Sequence, residues 1–237
     1  MSKTGIRKMG LIRIGIDGPA GAGKSTLARR LSRELGVRYV DTGAMYRALT
    51  FKVLEAGVDP ADADQVVSLA EKTRINLEPR AGSGEQMVMM DGRDVTREIR
   101  SPDVNRWVSV VARHPRVREL MVRTQQAMAC DSVIMEGRDI CTRVMPDAEL
   151  KIFLTADLHE RARRRHKELV EKGYSPSIRE VEAEMAARDR IDSGREKDPL
   201  RPAEDSVIVD STGMTPEEVT RAVLRLCEGG SSCSTGS

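Results

Sequence analysis

The stretch Gly18-Pro19-Ala20-Gly21-Ala22-Gly23-Lys24-Ser25-Thr26 fits the pattern G-x-x-x-x-G-K-[ST]. It follows the short apolar run Ile12 to Ile16, which reads as a strand. It precedes Leu27, Leu31 and Leu35, which recur at helical spacing until Gly36 ends the run. A Gly-rich turn between strand and helix wraps tightly enough for successive backbone N–H groups to face phosphate oxygens, and the helix N-terminus adds partial positive charge under the same anion. Lys24 is placed to reach the β- and γ-phosphates and the Ser25 hydroxyl to ligate the accompanying Mg²⁺. The pattern therefore predicts a nucleoside triphosphate site, ATP with Mg²⁺, on an α/β fold.

The rest of the chain continues the strand–helix alternation. Strands are expected at Val37–Asp41, Ser132–Met135, Leu150–Leu154 and Ser206–Asp210, with a helix from about Ala44 after the turn Thr42-Gly43 and another over Asp62–Leu69. Ser101-Pro102 opens a helix, a second runs from Pro115 to Ala129, and two charged helices lie between Asp157 and Asp192. Thr215-Pro216-Glu217-Glu218 is a capping box that opens a final helix to Cys227. Between them, Arg74–Leu77 and Gln86–Met90 flank Pro79 to Gly84 as a hairpin. The fold class is a P-loop, doubly wound, five-stranded parallel sheet with a small β-rich insert and a short helical lid. Residues 11–228 form one domain, the insert spans about 70–105 and the lid about 157–180. The Gly/Ser-rich tail 229–237 is expected to be disordered.

Composition excludes several classes. No apolar run approaches the roughly 18 residues of a membrane span, and Met1 to Gly10 lacks the apolar stretch of a secretory signal. Cys130, Cys141, Cys227 and Cys233 have no metal-ligand spacing, which fits a reduced cytoplasm. Aromatics are 3% and like charges form no long block, so nucleic acid is not an expected partner. Of 39 cationic residues 30 are arginine, whose planar fork grips phosphate bidentately. Genomic codon bias explains surface arginines equally well, so only those beside motifs carry weight.

In a doubly wound sheet, ligands bind beyond the carboxyl ends of the strands. There stand Asp41-Thr42-Gly43-Ala44-Met45-Tyr46-Arg47 and Glu136-Gly137-Arg138-Asp139. Glu136 could hold Mg²⁺ through water or act as a structural acid. The related Gly92-Arg93-Asp94-Val95 reads as a hairpin-end turn. Arg188, Asp192 and Arg195 share one helical face if the helix lasts that long, as either a site or a solvated salt-bridge face. Arg161-Ala162-Arg163-Arg164-Arg165 is either an arginine lid over the triphosphate or an exposed basic helix. Taken alone, Trp107 reads as core, Ser109 as a helix-surface hydroxyl and Arg118 as exposed.

These blocks, with Val108-Ser109-Val110-Val111-Ala112, Pro115-Arg116-Val117-Arg118, Pro146-Asp147-Ala148 and Lys151-Ile152-Phe153-Leu154, resemble the bacterial cytidylate kinases of the nucleoside monophosphate kinase family over about Ile12–Leu226. The resemblance implies a kinase that moves the ATP γ-phosphoryl group to CMP or dCMP. It places Ser109, Arg118 and Asp139 at the cytosine edge and Asp192 at the ribose, steadied by Arg188 and Arg195. Thr42, Arg47 and Arg138 would hold the CMP phosphate, and Arg161 and Arg165 would close over ATP. Lys24, Arg138, Arg188 and Arg195 would be the catalytic cations. The enzyme is expected to act as a cytoplasmic monomer on small nucleotides, away from membranes. Relatives usually carry Gly at the position of Cys141, which implies strain there if φ is positive. A kinase for UMP or another monophosphate, or a non-enzymatic ATP-binding regulator, are the alternatives.

Overall fold

A computed structural model describes residues 11–80, 86–129 and 131–229. The N-terminal ten residues, most of the expected hairpin connection, Cys130 and the tail from residue 230 lie outside it. In chain order the elements are β1 (Arg13–Asp17), α1 (Lys24–Leu35), β2 (Arg38–Asp41), α2 (Thr42–Glu55), α3 (Ala63–Lys72), β3 (Ile75–Pro79), β4 (Gln86–Met90) and β5 (Arg93–Asp94). There follow α4 (Pro102–Ala112), α5 (Pro115–Ala127), β6 (Val133–Gly137), β7 (Leu150–Thr155), α6 (Leu158–Glu171), α7 (Ile178–Ser193), β8 (Val207–Asp210) and α8 (Pro216–Gly229).

Five strands form a parallel sheet in the order β2-β6-β1-β7-β8. Side chains alternate across it. Val133 and Met135 of β6 join the core under α2, α3, α4 and α5, whereas Ile134 joins Ile14, Ile16 and Ile152 under α1 and α8. The register sets Asp17 beside Gly137 and Asp41 beside Glu136, so the carboxyl ends of three strands finish together. The connection from β1 to β2 passes over β6, and β7 lies on the other flank of β1. The strand order thus reverses beside β1 and opens a crevice at its end. Among the described residues no helix is long and apolar enough to cross a membrane.

Local chemistry accounts for the boundaries. The Ser101 side chain accepts from the Val104 amide ahead of Pro102, and Thr215 and Glu218 exchange hydrogen bonds as a capping box. Helix α2 begins earlier than expected. The Asp41 carboxylate accepts from the Ala44 amide at 3.0 Å, so Thr42 and Gly43 form the first helical turn rather than a separate one. Trp107 is only half-buried, because Val104, Val108 and Val111 fill the inward stripe of α4; the Arg106 guanidinium covers its ring from 5.8 Å.

The insert is the antiparallel sheet β3-β4-β5, whose Ile75, Leu77, Val88 and Met90 join the core beneath α2. Asp91 and Gly92 take φ of 51° and 83° in the turn between β4 and β5, and Arg93 pairs with Glu55. The first Gly-Arg-Asp copy is therefore a hairpin end. Gln86 ties the insert to the main sheet. Its Oε1 accepts from Asp41 N at 3.0 Å and its Nε2 donates to Tyr39 O at 3.2 Å, copying a backbone ladder on edge strand β2. Gln86→Ala should lower Tm by about 4–8 °C, since two bonds worth about 1 kcal/mol each are lost, and should raise several-fold the KM for the ligand bound in the crevice beside β2. Thermal melts and steady-state kinetics check this; unchanged values in both would show that the latch is idle.

Candidate active site

The phosphate loop is shaped by what surrounds it. Gly18 has φ of 148°, and a Cβ there would lie 1.9 Å from the Leu154 carbonyl oxygen, so only glycine lets β7 approach. Three of the loop's carbonyls are held by side chains. Lys24 Nζ donates to Pro19 O at 2.7 Å, Arg161 Nη1 to Ala20 O at 3.1 Å, and Ser211 Oγ to Ala22 O at 3.1 Å. Burial, with Arg138 nearby, pushes the Lys24 ammonium well below its ordinary pKa.

Arg161 departs from the expected lid role. Its guanidinium is buried, bonded also to Ala156 O at 2.9 Å and to Asp189 at 2.7 Å, and it does not line the cavity. It braces the loop from behind. Arg165 does line the cavity and pairs with Glu168. Its neighbour Arg164 binds the carbonyl of Ser211 at 2.6 Å, linking α6 to the segment after β8.

At the end of β6, Glu136 is buried and accepts from the Tyr39 hydroxyl and the Ser25 side chain. Burial, then the neighbouring Asp41, raises its pKa, while Lys24 pulls the other way. Thr42 Oγ1 donates to Glu136 O at 2.7 Å. Among the described residues no group of three or more acidic, His or Cys side chains could cage a metal. A hydroxyl beside one carboxylate is instead the hard-oxygen set that suits Mg²⁺ carried in on phosphates.

Facing the loop across the crevice is a second cationic cluster, centred on the buried Asp192 of α7. It accepts from Arg138 Nε at 2.9 Å and Ser109 Oγ at 3.1 Å, with Arg188 Nε at 3.9 Å and Arg195 Nη1 at 4.0 Å. Burial alone would raise the Asp192 pKa, but the three arginines overrule it and hold it at about 2. Arg195 does not extend the helical face: α7 stops at Ser193, and Arg195 returns because its Nε donates to Asp192 O at 3.2 Å. Burial and the like charge of Arg138 bring Arg188 down to about 9. Burial, together with the charges of Arg100 and Arg138, also lowers Arg47, which lines the cavity from α2.

Ser109 and Arg118 correct the reading made from single residues: both are buried, Arg118 at 1% exposure. Arg118 pairs with Asp139, and with Asp198 at 3.3 Å, donates to Ala112 O at 3.3 Å and lies 5.6 Å over the Tyr46 ring. Burial opposes its charge, yet Tyr46 and Asp139 raise its pKa. Cys141 is unstrained. It sits in a single π-helical turn, Ile140–Val144, without a positive φ, and its sulfur fills the space left by the missing Cβ of Gly15.

Loop and cluster share one cavity of about 1590 Å³, well above the roughly 300–1,000 Å³ of a single-ligand pocket. Ala20 to Thr26 line one part; Thr42, Ser109, Arg118, Asp139 and the Asp192 cluster line another. Arg188 Nε, Arg195 Nη2 and Tyr46 Oη are buried there without a hydrogen-bond partner, leaving donors for an incoming polar group. Residue patterns gave no hint of Gln86, which acts through a tertiary contact, and placed Tyr46 in a strand-end block without assigning it a role. Asp17 had a faint one, an acid placed directly before the loop.

Comparison with known proteins agrees with this architecture. An uncharacterized protein from Eubacterium ventriosum shares the fold, with a TM-score of 0.51, 10% identity, and coverage of 92% of this chain and 99% of that one. A cytidylate kinase of Pelotomaculum thermopropionicum is 53% identical over 212 residues, covering 89% of this chain and 93% of the relative. One from Oceanobacillus iheyensis is 49% identical over 214 residues, 90% and 92% of the two chains. The cytidylate kinase family profile matches residues 14–229, and the chain belongs to that family of enzymes.

Proposed function

We propose that the two halves of the cavity hold ATP and CMP or dCMP, and that the γ-phosphoryl group passes directly and in line between them. The products are ADP and CDP or dCDP. The observation that carries this reading is the pair of opposed anion sites in one cavity, the phosphate loop and the Asp192 cluster, joined by Lys24 and Arg138. A protein that merely bound ATP would have no use for the second.

Phosphoryl transfer asks the protein for positioning and charge rather than a nucleophile. The loop amides and Lys24 cradle the donor phosphates. Thr42, Arg47 and Arg138 take the acceptor phosphate, while Arg188 and Arg195 sit where negative charge spreads in the transition state. Asp192 takes the ribose hydroxyls, and Ser109, Arg118 and Asp139 read the base. A buried polar set of this kind rejects a mismatched base because its own groups would be left unpaired. Mg²⁺, arriving with ATP, would be held by Ser25, with Glu136 behind it, and would neutralise phosphate charge. Action in the cytosol as a monomer, without nucleic acid or membrane, completes the reading and fits the composition.

The test is a panel of CMP, dCMP, UMP, AMP, GMP and dTMP with ATP and Mg²⁺, read by ADP release. CMP and dCMP should exceed the purine and thymine acceptors in kcat/KM by about 10²-fold or more. UMP ranking above CMP would reassign the base-reading residues; ATP binding without acceptor-dependent turnover would point to a regulator.

A further inference from the structure

Asp17 closes β1 immediately before the phosphate loop, yet its carboxylate serves the opposite side of the crevice. Oδ1 accepts from the Ile140 amide at 2.9 Å and Oδ2 from the Cys141 amide at 2.8 Å. Those amides open the π-helical turn, which closes on itself through Arg143 N to Asp139 O at 2.8 Å and Met145 N to Ile140 O at 2.7 Å. The two residues just before them are Arg138, paired with Asp192, and Asp139, paired with Arg118. Asp17 is therefore a rigid link between the strand that launches the donor loop and the segment that carries two acceptor-side groups.

The link is built for a carboxylate. Two N–H donors converge on two oxygens, and the Cys141 thiol adds a third donor. Burial, with Asp17 beside it, pushes that thiol up, so it stays protonated and able to donate. An amide would offer one acceptor and turn its own N–H₂ toward the second N–H. Lys24 from α1 and Asp139 and Cys141 from the turn are the titratable groups that face it. Burial, opposed by the Cys141 and Ile140 amides and reinforced by Asp139, brings the Asp17 pKa up to about 6.

We infer that Asp17 is a positioning residue of the acceptor site: by holding the amides of Ile140 and Cys141, it sets where Arg138 and Asp139 stand. This rests on the reading of that site given above. D17N should raise the KM for CMP about tenfold or more while the KM for ATP stays within about twofold. C141A removes the thiol donor but keeps both amides, and should change the CMP KM by less than about threefold. Equal losses of ATP and CMP affinity in D17N, or a C141A defect as large as that of D17N, would overturn the assignment.

Nucleotide-free wild-type protein supplies a measurement that does not depend on a variant folding. In a ¹⁵N NMR titration from pH 7.5 to 5, the Ile140 and Cys141 amide signals should shift together through about pH 6, and the Arg138 and Asp139 signals with them. Movement at 140 and 141 alone would refute the positioning role; if none of the four moves, the kinetic comparison of D17N with C141A decides it. Failure to phosphorylate CMP would instead defeat the substrate reading, and the titration would still decide independently whether Asp17 governs the turn.

Discussion

Replacing Lys24 by Met is expected to lower kcat about a thousandfold and to raise Tm in the same protein. In the proposed reaction, the loss of rate follows from removing a fixed cation at the place where transferring-phosphoryl charge is greatest. The gain in stability follows from the environment of Lys24, which is 7% exposed, close to Arg138 and held well below its ordinary pKa by burial. Its folded pKa is depressed, so the native state binds that proton less tightly than the unfolded chain does. The charged ammonium therefore costs stability at neutral pH, and the cost fades as pH rises from the folded toward the unfolded pKa. Met fills similar space without the charge. The hydrogen bond to Pro19 O is lost, but a neutral side chain has no buried charge to compensate. Thermal melts at pH 7 and single-turnover kinetics with ATP and CMP decide the matter. Near-normal kcat would remove Lys24 from the donor site; a lower Tm would mean that its hydrogen bond outweighs its desolvation.

How far sequence alone could go depended on whether the chemistry was contiguous. The phosphate loop needs nine neighbouring residues in one local geometry, and strand β1, helix α1 and the loop stand where the pattern implied. Ser109, Arg118 and Asp192 arrive from α4, α5 and α7. Helical spacing marked Asp192 with Arg188 but left open whether the face is a site, and Ser109 and Arg118 read as surface residues until packing buried them. The run Arg161 to Arg165 shows a different obstacle. Composition marks the run, but only the rotation of α6 turns Arg161 under the loop and Arg163 to solvent. Cys141 read as strained if its φ were positive, because relatives usually carry Gly there; its φ is not positive, and its accommodation depends on Gly15, far away in the chain.

Arg118 offers the largest combined effect on stability and recognition. Its side chain is 1% exposed and pairs with the Asp139 carboxylate, itself 5% exposed. Arg118→Met strands that carboxylate, and breaking a buried pair on one side costs about 3–5 kcal/mol, or a Tm loss on the order of 10 °C for a chain of this size. If Arg118 reads the base as proposed, the kcat/KM for CMP should fall about 10²-fold or more, because its charged donor disappears together with its alignment of Asp139. Recognition can be separated from stability by the double variant Arg118→Met with Asp139→Leu. Removing both charges should restore most of the lost Tm, since a well-packed apolar pair can match a buried ion pair. On the proposed base-reading role, selectivity for CMP over UMP should be lost in the single variant and stay lost in the double one, because neither group is then left to read the base. A double variant that regained both Tm and CMP preference would show that the pair holds α5 against the turn after β6 and takes no part in choosing the substrate.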